Sequence, residues 1–119
     1  MIISKTPFRI SFVGGGSDNL KKQSFVGNVI STTINKFVYV GVNKKFDNQI
    51  RFSYSKTENV ENANKLNHQM LKEVLNYFKI TNWLEVVSVA DIPSAGSGLG
   101  SSSSFLVGAI NSIGKYLNI

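Results

Sequence analysis

The chain has 119 residues, enough for one modest core, and its 42% hydrophobic and 17% charged residues describe a folded domain rather than a disordered one. It holds no cysteine, which excludes disulfides and thiolate chemistry, and its single histidine, His68, cannot build a zinc site alone. The net charge is +6, but Lys21, Lys22, Lys44, Lys45, Lys72 and Lys115 are scattered and form no stripe interleaved with aromatics, so a nucleic-acid partner is not expected. The opening MIISKTPFRI lacks the features of a secretory signal, and no apolar run could span a bilayer. The expectation is a cytoplasmic protein with no membrane partner.

Phe8, Ile10 and Phe12 alternate with Arg9, Ser11 and Val13, which predicts a strand with the three apolar side chains inward and Arg9 and Ser11 together on the other face. Gly14 to Asp18 then read as a loop by composition. Val26 to Ile34 and Phe37 to Val42 are two further β-rich runs, and Asn35-Lys36 between them reads as a short hairpin connection, though without the preferred glycine. After a polar turn from Lys45 to Gln49, Ile50, Phe52 and Tyr54 mark a fourth strand. Leu66, Met70, Val74 and Phe78 shift the period to that of an amphipathic helix from about Asn64 to Lys79, with His68 on its exposed polar side. A valine-rich fifth strand runs from Leu84 to Ala90. A second helix ends near Leu117 and carries Phe105, Ala109 and Ile113. Its Leu106, Val107 and Ile110 spread apolar surface around the circumference, so this helix is expected to need cover on more than one side. The fold class is α+β, a sheet of four or five strands with two helices.

Between the last strand and the last helix lies the segment from Asp91 to Ser104. Its alternating Gly96, Gly98 and Gly100 would let a backbone approach phosphates, and the N–H groups and dipole of a helix start favour their charge. Ser101, Ser102 and Ser103 supply hydroxyls for capping and for a Mg²⁺ ion held by the phosphates. No lysine follows Gly100, which excludes a Walker A loop, and the G-x-G-x-G spacing is not the dinucleotide fingerprint. Leu99 inside the run, Pro93 at its start and apolar elements on both flanks argue against a flexible linker.

Pro93-x4-Gly98-Leu99-Gly100-Ser101-Ser102-Ser103 resembles the central motif of the GHMP kinases, which include galactokinase, homoserine kinase, mevalonate kinase and phosphomevalonate kinase. Thr6 to Asp18, with three glycines followed by Ser17 and Asp18, resembles the first motif of the branch acting on D-glycero-D-manno-heptose 7-phosphate. Val29 to Ile34, Val42 to Asp47, Ser53 to Glu58 and the four-serine ending are also similar to that branch. The resemblance covers essentially the whole chain.

It implies the GHMP N-terminal ATP-binding domain over residues 1–119, a ribosomal-protein-like βαβ sandwich of a mostly antiparallel sheet and two helices. The chain is then expected to be incomplete, with the C-terminal domain and the catalytic base outside it, and inactive by itself. The implied cofactors are ATP and Mg²⁺, the implied partner is a small sugar phosphate, and the implied reaction is γ-phosphoryl transfer to the anomeric hydroxyl of the heptose. Residue by residue, Pro93, Gly96, Ser97, Gly98, Leu99, Gly100, Ser101, Ser102 and Ser103 match the triphosphate site, with Ser102 as the magnesium contact. Arg9 matches a basic residue that would offset transition-state charge. Gly14, Gly15, Gly16, Ser17 and Asp18 match the sugar-facing loop.

Each role has a structural alternative. The alternative for Arg9 is a pairing with a carboxylate across the sheet and for Asp18 the cap of a turn, while Asp91 reads as a turn residue rather than a base. Tyr54, Lys56 and Glu58 border either an adenine pocket or a solvated edge. Another sugar of the fucose or mannose type, or a non-catalytic RNA-binding or scaffold domain of the same topology, are the competing functions.

Overall fold

The structure, a computed structural model, describes residues 1–13, 30–93 and 101–119. Strand β1 (Ile2–Val13) pairs antiparallel with β2 (Ile30–Lys44), and β2 pairs antiparallel with β5 (Leu84–Ala90). Strand β3 (Ile50–Ser53) lies parallel to β5 and forms a hairpin with β4 (Thr57–Val60). The sheet order is β1-β2-β5-β3-β4, mostly antiparallel as expected. Helices α1 (Gln69–Tyr77) and α2 (Ser101–Tyr116) share the core with it.

The core face of the sheet is set by alternation. Val38, Val40 and Val42 of β2, Leu84 and Val86 of β5, and Ile50 and Phe52 of β3 are all at most 3% exposed. Leu71, Val74 and Leu75 of α1 and Phe105, Ala109 and Ile113 of α2 close over them. Each fully buried large side chain here contributes about 1.5–3 kcal/mol of transfer free energy. Helix α2 lies close on β1 and β2 because position 108 is a glycine. A Cβ there would stand 3.0 Å from Ser4 Oγ, 3.1 Å from Thr6 Oγ1 and 3.2 Å from Val40 Cγ2. The buried Ser4 hydroxyl uses that proximity, donating to the Gly108 carbonyl at 2.8 Å.

Four sequence expectations are corrected. Asn35-Lys36 is no hairpin, because β2 is continuous through it. The pairing Pro7↔Phe37 is followed by Arg9↔Thr33, so the stretch from Thr33 to Phe37 faces only Pro7 to Arg9, and the surplus residues bulge out. Without a glycine to reverse the chain, the β-branched run from Ile30 continues along the far half of β1. Phe12 does not face the core but is 65% exposed, because a second register shift between Ser11 and Val13 breaks the alternation. Strand β4 was not anticipated, since Thr57-Glu58-Asn59-Val60 lacks an apolar alternation. The first helix begins at Gln69 rather than Asn64, because a 3₁₀ turn over Ala63–Lys65 ends in extended backbone at Leu66. Leu66 is buried as its spacing required, but ahead of the helix. On α2, Val107 and Ile110 remain exposed, at 56% and 43%, as the breadth of its apolar surface foretold.

Candidate functional site

Strand β5 delivers the chain to Asp91, which is clasped to β2. The Asp91 amide donates to the Phe37 carbonyl at 2.9 Å, and the Phe37 amide donates to Asp91 Oδ2 at 2.9 Å. Asp91 is therefore a structural residue that fixes where the strand releases the chain, in line with its sequence reading. Gly96, Ser97, Gly98, Leu99 and Gly100 lie outside the described residues, as do Gly14, Gly15, Gly16, Ser17 and Asp18. Pro93 is the last described residue before the Gly96 to Gly100 run, and Ser101 opens α2.

The serines at the start of α2 divide their work. Ser104 is buried and donates to the Pro7 carbonyl at 3.0 Å, tying the first turn of the helix to β1. Ser102 and Ser103 are exposed. Ser102 and Pro93 border a cavity of about 590 Å³, within the range that holds small-molecule ligands. Helix α2 is 16 residues long, so its first turn offers N–H groups without partners inside the helix and a dipole suited to an anion beside that cavity.

Much of the cavity wall is aromatic. Phe52 stacks on Tyr54 with centroids 4.5 Å apart and an interplanar angle of 24°, and Phe105 leans on Phe52 at 5.8 Å. His68 sets its ring against all three, at 4.9 Å from Phe52, 5.0 Å from Tyr54 and 5.2 Å from Phe105. All four line the cavity. Behind them sits Glu58 of β4. Its carboxylate accepts from the Tyr54 hydroxyl at 2.9 Å and from the backbone amides of Asn67 and His68 at 2.7 and 3.2 Å. Burial pushes the Glu58 carboxyl up, but these hydrogen bonds outweigh it and hold the group below its usual value. The Tyr54 phenol is pushed up, by burial first and then by the Glu58 carboxylate.

His68 corrects the sequence reading, which left it exposed on the polar side of the helix. It is the N-cap of α1, where its Nδ1 accepts from the Leu71 amide at 3.2 Å, and it is half-buried. Burial lowers its pKa below 6.5, against the pull of the Glu58 carboxylate. Tyr54 borders the cavity, Glu58 stands behind it, and Lys56 is exposed and not in the lining. Phe52, Phe105 and Met70 read in the sequence only as core residues, yet they also line the site.

Arg9 is half-buried on β1, and its Nη1 donates to Ser11 Oγ at 2.8 Å, so the two side chains share a face as the alternation predicted. Arg9 is not among the residues that line this cavity. No described group of three or more His, Cys, Asp or Glu residues could hold a metal ion, so a divalent cation here would depend on phosphate oxygens, water and hydroxyls such as that of Ser102. No helix among the described residues is long and apolar enough to cross a membrane.

Solved structures share this mixed five-stranded sheet with its two helices. A D-glycero-D-manno-heptose 1-phosphate kinase from Bacteroides thetaiotaomicron superposes with a TM-score of 0.84 at 23% identity, covering 100% of this chain and 43% of that one. The Methanococcus jannaschii mevalonate kinase superposes with a TM-score of 0.73 at 19% identity, covering 98% of this chain and 40% of that one. These likenesses establish the fold, α+β and of the GHMP N-terminal type. In sequence the chain is similar to the curated D-glycero-alpha-D-manno-heptose 7-phosphate kinase of Campylobacter jejuni, with 32% identity over 133 residues that cover 99% of this chain. The resemblance to the GHMP kinases, and among them to the heptose-phosphate kinases, thus holds along the chain. The chain spans 38% of that curated relative's length. No protein-family model matches it.

Proposed function

We propose that residues 1–119 form the ATP-binding domain of a sugar kinase that phosphorylates the anomeric hydroxyl of D-glycero-D-manno-heptose 7-phosphate, supplying nucleotide-activated heptose. The observation that carries this reading is the aromatic-walled cavity at the start of α2, in a chain similar to a heptose 7-phosphate kinase along its length. The base of ATP occupies the aromatic end, between Tyr54 and Phe105, and the phosphates turn toward Ser102 and the helix N-terminus. Ser104 keeps that terminus in place through its bond to Pro7. Pro93, Gly96, Ser97, Gly98, Leu99, Gly100, Ser101, Ser102 and Ser103 form the triphosphate cradle, with Ser102 Oγ offered to the magnesium ion. When bound, Mg²⁺ neutralises part of the charge on the β- and γ-phosphates.

Arg9 offsets charge that develops on the transferred group, and Gly14 to Asp18 receive the sugar. Phosphoryl transfer of this kind relies on positioning and charge stabilisation, so the domain contributes chiefly by fixing the donor. We place the base that takes the acceptor proton outside these residues, and the domain alone binds nucleotide without turnover. The test is a screen of the whole protein with ATP and Mg²⁺ against sugars and sugar phosphates. Transfer to heptose 7-phosphate supports the proposal, and transfer only to fucose- or mannose-type acceptors redirects it. A salt-dependent RNA shift with no nucleotide binding sinks it in favour of a scaffold domain.

A further inference from the structure

We propose that His68 reads the base of the bound nucleotide, donating a hydrogen bond from Nε2 to an acceptor nitrogen of a purine ring. The inference rests on the nucleotide reading of the cavity and adds a specificity-determining residue to it. Nδ1 is already committed, since it accepts from the Leu71 amide at 3.2 Å. A neutral imidazole with Nδ1 as acceptor carries its proton on Nε2. That nitrogen has no protein partner among the described residues, and no described side-chain nitrogen or oxygen is buried without one, so Nε2 opens to accessible space. His68 lines the cavity, and three aromatic contacts fix its ring. Burial favours the neutral form this requires.

The other polar groups of the wall discriminate less. The Tyr54 hydroxyl proton is spent on Glu58, and the hydroxyls of Ser55, Ser88 and Ser102 rotate to donate or accept. His68 is thus the oriented donor of the aromatic end. Set at N1, a fixed donor suits adenine and not guanine, because that nitrogen accepts in adenine and carries a proton in guanine, whereas N3 and N7 accept in both.

The test compares ATP, GTP and inorganic tripolyphosphate binding to the full chain and to its His68→Asn variant, because asparagine also serves as an N-cap. The expected result is an ATP affinity about tenfold weaker in the variant, the loss of one hydrogen bond, with tripolyphosphate unchanged and the preference for ATP over GTP reduced. Equal losses for ATP and tripolyphosphate, or no loss for either, overturn the proposal. If the wild-type chain binds no nucleotide at all, the reading of the cavity fails first and the proposal with it. A measurement without substitution guards against a misfolded variant: the ¹⁵N resonance of His68 Nε2 should move with ATP and stay put with tripolyphosphate. Its failure to move with bound ATP overturns the assignment.

Discussion

Replacing Gly108 by valine should destabilise the domain by about 2 kcal/mol. The perturbation is local and its parts can be weighed. The first added carbon alone lands 3.0–3.2 Å from Ser4 Oγ, Thr6 Oγ1 and Val40 Cγ2, three atoms of two paired strands. Valine adds two methyl groups beyond it, and overpacking of this kind costs about 1–3 kcal/mol. Pushing α2 away also strains the buried bond from Ser4 Oγ to the Gly108 carbonyl, a loss of about 1 kcal/mol. Against this, leaving glycine gains about 0.4 kcal/mol of helix propensity. The steric cost wins. Unfolding entropy for 119 residues is about 0.25 kcal/mol/K, so Tm should fall by about 8 °C in a circular-dichroism melt at 222 nm. Gly108→Ala should fall much less, because one methyl group sets a smaller clash against a propensity gain of about 1 kcal/mol. A valine variant that melts at or above the wild type would refute the close seating of α2, and with it the placement of Ser102 at the cavity.

Phe52 is fully buried and touches Tyr54, His68 and Phe105, so Phe52→Ala should cost about 3–5 kcal/mol in urea titration and weaken nucleotide binding as the wall collapses. Stability should also fall in acid, in two stages. His68 has its folded-state pKa below 6.5, so the unfolded chain takes up its proton first, and stability declines as the pH falls from 6.5 through the folded value. Glu58, held below 4.5, adds a further decline as the pH falls from that value toward its folded one; Glu58→Gln should shrink this second stage and enlarge the first, since it removes the carboxylate that pulls the His68 pKa up, and an unchanged acid limb would contradict its role.

The elements written in periodic apolar residues were legible in the sequence. Leu84 to Ala90, the buried members of β2 and β3, and the α2 stripe of Phe105, Ala109 and Ile113 fall where the alternation puts them. Elements held by pairing or by polar contacts were not. Strand β4 exists because it borders β3, and its sequence gives no apolar signal. The β2 bulge at Asn35-Lys36 is decided by the register with β1, a non-local fact that no window of β2 contains. At the site, the serines of α2 were visible by type, but the sequence could not say that Ser104 turns inward to Pro7 while Ser102 borders the cavity. His68 was missed because Leu66 extends the helical period backward across it. The one available signal was a polar residue capable of accepting a hydrogen bond three positions before Leu71, the offset of an N-cap and its amide.

The central claim, a kinase that transfers phosphate from ATP to a heptose phosphate, is tested most directly by ³¹P NMR. The whole protein is incubated with ATP, Mg²⁺ and D-glycero-D-manno-heptose 7-phosphate. The account predicts a new anomeric phosphomonoester on the heptose, appearing with ADP and lost when Ser102 and Ser103 are both replaced by bulky leucine. ATP left intact, or hydrolysed with no phosphate on the sugar, would contradict it.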